Sequence, residues 1–217
     1  MQSIEELYTR KSRLYHLIFI ALLRYDKGLL SFFNQYEYLK SGIVILDAGC
    51  GSGTVTKMLY RRAQLHNFKK INYYAFDITQ AMLDRFTNWI EDEKIATIRT
   101  WRADILDFNN ITKDWPDFDL IVSSAMLEYL PKEQLPIALQ NLSKLLSKNG
   151  KLVIFITKKG ILNRWLIKKW WKANTYTRNE LKSVLGESGF ARIKFRKFPE
   201  AYSYLNRWGF IIEAKLE

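Results

Sequence analysis

The sequence predicts a doubly wound α/β protein with a mostly parallel seven-stranded sheet, helices on both faces and a C-terminal antiparallel hairpin. Three observations predict it. After Gly42, short apolar runs alternate with amphipathic segments at the spacing of successive β–α units. The first of these runs leads into a loop with glycine at positions 49, 51 and 53, followed by a helical pattern. At the end of the chain the alternation stops, and two apolar runs follow with no helical pattern between them.

Each element has its own signal. Residues 1 to about 39 read as helical, because Ile4, Leu7, Leu14 and Ile18 recur along one face, with Lys11 interrupting. Ile43–Asp47 is a buried strand and Thr54–Leu65 a helix. Asn72–Asp77 is a second strand, followed by a helix from about Thr79, whose hydroxyl is suited to cap it. Ile98–Ala103 and Leu120–Ser123 are the third and fourth strands. Leu135–Leu146 is a helix closed by Asn149–Gly150, and Lys151–Ile156 is the fifth strand. Thr177–Ser188 is a helix stopped by Gly189, and Ala191–Phe198 and Gly209–Leu216 form the hairpin. Residues 1–217 are expected to form one domain, a helical cap over 1–40 and a core over 41–217.

Composition narrows the class of protein. With 217 residues, 48% hydrophobic and 26% charged, the chain has enough apolar content for a two-sided core and no disordered or fibrous bias. Cys50 is the single cysteine, which excludes an internal disulfide framework and fits a reducing cytoplasm. The opening MQSIEELYTRKSRLY lacks the pattern of a signal peptide, and the run Leu17 to Leu23 is far shorter than the roughly 20 apolar residues of a membrane span. The net charge of +12 attracts anions, so nucleic acid and anionic membrane enter as partners alongside a plain solvated surface.

The chemistry is concentrated in VILDAGCGSGTVT, Val44 to Thr56. Alternate glycines let the backbone turn sharply and approach a ligand, and the helix that follows offers unpaired N–H groups. Asp77 ends the second strand 24 residues beyond Gly53, the separation at which an acid reaches a ribose diol. Asp104 follows the third strand, and Ser123, Ser124 and Ala125 end the fourth. Open parallel sheets bind ligands outside the carboxyl ends of their strands, which is where all these residues fall.

With these motifs the chain resembles the class I S-adenosylmethionine-dependent methyltransferases, over about residues 43 to 216. DAGCGSG is similar to the first family motif, FDIT at 76–79 to the second, DI at 104–105 to the third and FDLIVSSAMLEYL to the fourth. LSKLLSKNGKLVIF is similar to the family's helix–turn–strand, with Asn149 and Gly150 where Pro-Gly-Gly is usual. The resemblance implies a Rossmann-like core and S-adenosylmethionine as cofactor, with S-adenosylhomocysteine as product. Asp47, Gly49, Cys50 and Gly51 would then border the methionine portion and sulfonium, and Gly53 would allow close helix packing. Asp77 would hold the ribose hydroxyls with Ile78 on the adenine. Asp104 would accept from the adenine amino group with Ile105 on its ring. The backbone around Ser123–Ala125 would face the reactive centre, with Ser123 and Ser124 among the cofactor-binding residues. A dehydrogenase fingerprint competes, but its third glycine lies three residues after the second, where here the spacing is two.

Methyl transfer asks mainly for alignment and exclusion of water, so no strong catalytic signature is expected. The candidates are His16, in the N-terminal region that often covers the site in similar small-molecule enzymes, and Glu128, after the fourth strand. Tyr8 and Tyr15 resemble an opening folded over the cofactor. His66 reads as solvated, and no cluster has metal-ligand spacing, so no metal is expected. KKGILNRWLIKKWWK, 158–172, is basic, aromatic and free of acids. As a helix it suits a substrate lid bearing Trp165 and Trp170, with Tyr176 just beyond, or a membrane or nucleic-acid contact, or a solvated packing helix.

Three functions follow. The first is methylation of a small, hydrophobic or acidic metabolite. The second is nucleic-acid methylation through the basic surface, although SSAM is not the Asn/Asp-Pro-Pro-aromatic signature of base amino-group methylation. The third is non-catalytic cofactor binding. Oligomeric state is not encoded in any pattern of the sequence.

Overall fold

A computed structural model describes residues 24–107, 114–160 and 173–217. Seven strands form one sheet in the order β3-β2-β1-β4-β5-β7-β6. They are β1 (Val44–Ala48), β2 (Asn72–Asp77), β3 (Ile98–Arg102), β4 (Phe118–Ser124), β5 (Leu146–Thr157), β6 (Arg192–Arg196) and β7 (Gly209–Lys215). The first five pair in parallel, and β7 runs antiparallel between β5 and β6. The chain reverses direction across the sheet between β1 and β4, which leaves a crevice at their carboxyl ends.

Strand alternation divides the core into two layers. Ile45, Tyr73, Ala75, Val122, Val153 and Phe155 point to one face, where α1 (Tyr25–Gln35), α2 (Thr54–Leu65) and α3 (Gln80–Asp92) pack. Leu46, Phe76, Ile121, Leu152 and Ile154 point to the other, covered by α4 (Leu135–Lys144) and α5 (Arg178–Glu187). In α1, Leu29, Phe32 and Phe33 are buried, and Phe32 meets Phe33, Tyr36, Tyr38, Phe155 and Phe198 within aromatic contact distance. This packing fixes α1 over the carboxyl ends of β4 and β5.

Several details differ from expectation. Helix α4 stops at Lys144, and β5 starts at Leu146, earlier than the glycine at 150 suggested. Residues 147–150 bulge opposite Asp119, where Gly150 packs so tightly that a Cβ would lie 2.6 Å from the Phe118 carbonyl oxygen. The Thr79 hydroxyl makes no cap bond to α3; the Thr79 N–H instead donates to Asp77 Oδ1 at 2.8 Å. Between the last two strands lies a 3-10 segment, Glu200–Arg207, whose Leu205 packs against Gly28 of α1. Helix α5 opens with a capping box, Thr177 accepting from the Glu180 N–H and Glu180 from the Thr177 N–H. Among the described residues no helix is long and apolar enough to cross a membrane.

Candidate active site

The glycine loop, Gly49 to Gly53, leaves β1 and turns into α2 with positive φ at all three glycines. Two of these positions are also sterically closed. A Cβ on Gly49 would overlap Met126, and one on Gly53 would overlap the Phe86 ring. The Gly49 and Cys50 N–H groups both donate to the Phe76 carbonyl at 2.9 Å, and the Gly51 N–H donates to Asp77 Oδ2 at 2.8 Å. The loop is thus tied to the end of β2, and the carboxylate of Asp77 is held in place by two backbone donors, Gly51 and Thr79.

A cavity of about 430 Å³ runs along the carboxyl ends of β3, β2, β1 and β4. At its β3 end lie Asp104, Ile105 and Leu106, beside Asp77, Ile78, Met82 and Arg85. Asp104 Oδ1 accepts from the Leu106 N–H at 2.9 Å, which fixes that turn. In the middle are Asp47, Gly49, Cys50 and Gly51, and at the β4 end Tyr25, Asp26, Leu29, Ser124, Met126, Tyr129 and Leu130. Ala125 holds a left-handed conformation, φ 56°, at the turn out of β4, a strained position for a residue with a Cβ. Tyr25 Oη lies 3.2 Å from Ser124 Oγ and closes this end.

Charge inside the cavity opposes charge on the protein. Four lining residues are acidic (Asp26, Asp47, Asp77, Asp104), and Arg85 is the one basic residue among those described, in a chain of net charge +12. Asp47 is 2% exposed, and burial pushes its carboxyl up to about 6 despite hydrogen bonds from Thr56. Burial also raises the Cys50 thiol well above its ordinary value, with Asp47 and Asp77 adding to the effect, so it is an unreactive packing group.

The sequence-predicted residues divide clearly. Asp47, Gly49, Cys50, Gly51, Asp77, Ile78, Asp104, Ile105 and Ser124 converge on the one cavity. Ser123 does not, a correction that follows from strand alternation: its neighbour Ser124 reaches the cavity, whereas Ser123 is buried with no partner for Oγ among the described residues. Tyr176 is also corrected. It is a core residue, 3% exposed and packed among the α4 and α5 side chains, and not part of a lid surface. Glu128 is buried rather than set on the cavity wall. Its Oε1 accepts from the Thr157 hydroxyl at 2.9 Å, Oε2 has no partner among the described residues, and burial raises the carboxyl to about 7. Tyr8, Tyr15, His16, Trp165 and Trp170 lie outside the described residues.

The sequence reading missed Tyr25, Asp26, Leu29, Met82, Arg85, Met126, Tyr129 and Leu130. Met82 and Arg85 follow Asp77 on one face of α3 and were open to a helical-periodicity argument. Tyr25 and Leu29 are reachable only once the docking of α1 is known.

The residues present fit an adenosyl group. Ile78, Ile105 and Leu106 supply apolar surface for a flat base, next to carboxylates on two adjacent strand ends, and the volume is that of a small-ligand pocket.

Residues 45–150 match the family model described as a methyltransferase domain. A stretch of 123 residues is 27% identical to the Ubiquinone biosynthesis O-methyltransferase of Coxiella burnetii, covering 57% of this chain and 47% of that protein. The chain therefore spans about half the length of the curated relatives it matches. Among solved structures, an S-adenosylmethionine-dependent methyltransferase from Clostridium acetobutylicum superposes with TM-score 0.68 at 17% identity, covering 94% of this chain and 98% of that one. Magnesium protoporphyrin IX methyltransferase from Synechocystis, with S-adenosylhomocysteine bound, gives TM-score 0.65 at 16% identity, covering 98% and 92%. At such identities the structural likeness is one of fold. The chain is thus similar over residues 45–150 to a methyltransferase domain, and it shares its Rossmann-like fold with solved S-adenosylmethionine-dependent methyltransferases.

Proposed function

We propose that this protein transfers a methyl group from S-adenosylmethionine to a small, hydrophobic acceptor. One observation carries the reading: a single cavity joins the glycine loop, Asp77 and Asp104 to an apolar end at Met126 and Leu130. Asp77 holds the ribose diol and Asp104 the adenine amino group, with Ile78 and Ile105 on the faces of the base. Asp47, Gly49, Cys50 and Gly51 border the methionine portion, and Ser124 faces the reacting centre. His16, Tyr8 and Tyr15 belong, on this reading, to a cap over residues 1–40, and Trp165 and Trp170 to a cover for the acceptor.

When bound, the cofactor supplies a methyl carbon made electrophilic by its sulfonium. That carbon would be open to a lone pair of the acceptor, whose proton, where it has one, would pass to water. The chain's own residues align the two partners and exclude water, an effect worth roughly 7–11 kcal/mol when the geometry is good. The four acids lining the cavity favour a cationic ligand over an anionic one. The lone, buried Cys50 fits action in the cytoplasm.

Calorimetric titration with S-adenosylhomocysteine, on wild type and Asp77→Ala, tests the reading. Micromolar-range binding that weakens about 10- to 100-fold in the variant supports it, since a carboxylate shared by two hydroxyls provides charge-assisted hydrogen bonds. Absence of binding by the folded wild type sinks it.

A second reading, methylation of RNA, draws on the basic surface: from Ala48 to Phe76 the chain has Lys57, Arg61, Arg62, Lys69 and Lys70 and no acid. Retention of an RNA oligonucleotide that weakens steeply with salt would favour it. The acidic lining of the cavity argues for the small acceptor.

A further inference from the structure

Resting on that reading, we infer that the acceptor is an uncharged phenol whose nucleophilic oxygen is held by the Tyr25–Ser124 hydroxyl pair, and that Asp26 turns acidic acceptors away.

The pair stands at the β4 end of the cavity, across the glycine loop from the end where Asp104 and Ile105 lie. Tyr25 Oη and Ser124 Oγ are 3.2 Å apart, and either can be the donor. Two hydroxyls carry two hydrogens, and their mutual bond uses one. Whichever way that bond points, one O–H and spare lone pairs remain for a ligand. A neutral hydroxyl needs such a partner, because it must both give and accept a hydrogen bond. Burial raises the Tyr25 phenol well above its ordinary value, with Ser124 opposing and the charge of Glu128 adding to the rise. Tyr25 therefore stays a protonated donor over the physiological range and is no base.

The surroundings define the rest of the acceptor. Leu29, Met126 and Leu130 present apolar surface around the pair, and Tyr129 adds a ring. This suits a flat apolar body with one polar atom. Asp26 is the charged lining residue at this end among those described, and the buried Glu128, whose charge Tyr25 feels, is another acid. Arg85 stands on α3, which packs on β2 and β3, on the other side of β1 from β4. A carboxylated acceptor would face Asp26 with no cation to offset it.

The test uses the full chain with S-adenosylhomocysteine bound, then with S-adenosylmethionine. Naphthol and the matching hydroxynaphthoic acid are titrated into the first complex, and a panel of neutral phenols is assayed for turnover with the second. The expected result is binding and turnover of neutral phenols, with the carboxylated probe weaker by about tenfold or more. Tyr25→Phe and Ser124→Ala should each lower affinity for naphthol about tenfold and raise KM more than they lower kcat. Their affinity for S-adenosylhomocysteine should stay within about twofold of wild type, and circular dichroism should report an intact fold. Asp26→Asn should narrow the gap between the two probes. Preference for the carboxylated probe would overturn the inference. So would failure of every neutral phenol in a protein that binds S-adenosylhomocysteine, or a loss of cofactor-product affinity in Tyr25→Phe equal to the loss for naphthol. Failure of the wild type to bind S-adenosylhomocysteine would instead remove the proposed function on which the inference rests.

Discussion

Asp47 Oδ2 accepts two hydrogen bonds from one residue, Thr56, from its N–H at 3.1 Å and its hydroxyl at 2.6 Å. The last acidic residue of β1 is thereby fastened to the first turn of α2, across the glycine loop. One side chain secures both the strand end and the helix start, so the loop between them is held at both ends.

Thr56→Val should test that clamp. Valine keeps the volume and the backbone bond but loses the hydroxyl donor. Because the acceptor is a buried carboxylate, the loss should cost about 1.5–3 kcal/mol at pH 8. Asp47 titrates near 6 in the folded protein, and the hydroxyl bond favours its charged form. The cost should therefore shrink toward pH 5, as read by urea denaturation at both values.

Glycines 53 and 42 share nearly the same backbone conformation, φ 80° and 79°, but not the same surroundings. A methyl at Gly42 meets nothing within 4 Å, whereas at Gly53 it overlaps the buried ring of Phe86. Gly42→Ala should cost about 1–2 kcal/mol for the left-handed conformation alone. Gly53→Ala should cost roughly 2–5 kcal/mol, the same strain with overpacking added. Equal destabilisation of the two variants in chemical denaturation would contradict the packing argument.

Glu128 makes stability fall as pH rises. Burial lifts its carboxyl from 4.5 to about 7, so between those values the folded state holds a proton that the unfolded state has lost. Its contribution is fully present below about pH 4.5 and is lost as pH climbs through 7. Glu128→Gln removes the titration and should flatten the dependence of Tm on pH over this window. A profile as steep as wild type would show that other groups set it.

Thr177 and Glu180 cap α5 reciprocally, and the Thr177 N–H and hydroxyl, followed by Lys132, hold the Glu180 carboxyl down at about 2. Thr177→Ala should destabilise the fold by about 1 kcal/mol. Thr177→Ser should restore most of that loss in thermal denaturation.

Most of the glycine-loop end of the cavity was legible because its signals are local. Glycine at 49, 51 and 53 reports a backbone that must turn with positive φ, and it does so at all three. Asp77 and Asp104 were legible because one ends β2 and the other follows β3 by two residues, and β2 and β3 pair in parallel with their carboxyl ends together. The β4 end of the cavity was not legible. Tyr25 and Ser124 are 99 residues apart, and only the packing of Phe32 and Phe33 against Phe155 brings them to one place. Glu128 was noticed for its position after β4, yet whether it faced the cavity or the interior depended on the turn at Ala125 and on Thr157. Ser123 and Ser124 are chemically identical, and the pleat alone separates them.

The sequence by itself determined the order of strands and helices, the glycine loop and the carboxylates at the strand ends, because period, turn chemistry and chain order are properties of neighbouring residues. Tertiary structure decided which side chains close the far end of the cavity and which acids are buried away from it. Those choices depend on how α1 and the β4–β5 ends pack together, and such contacts join residues that no sequence period relates.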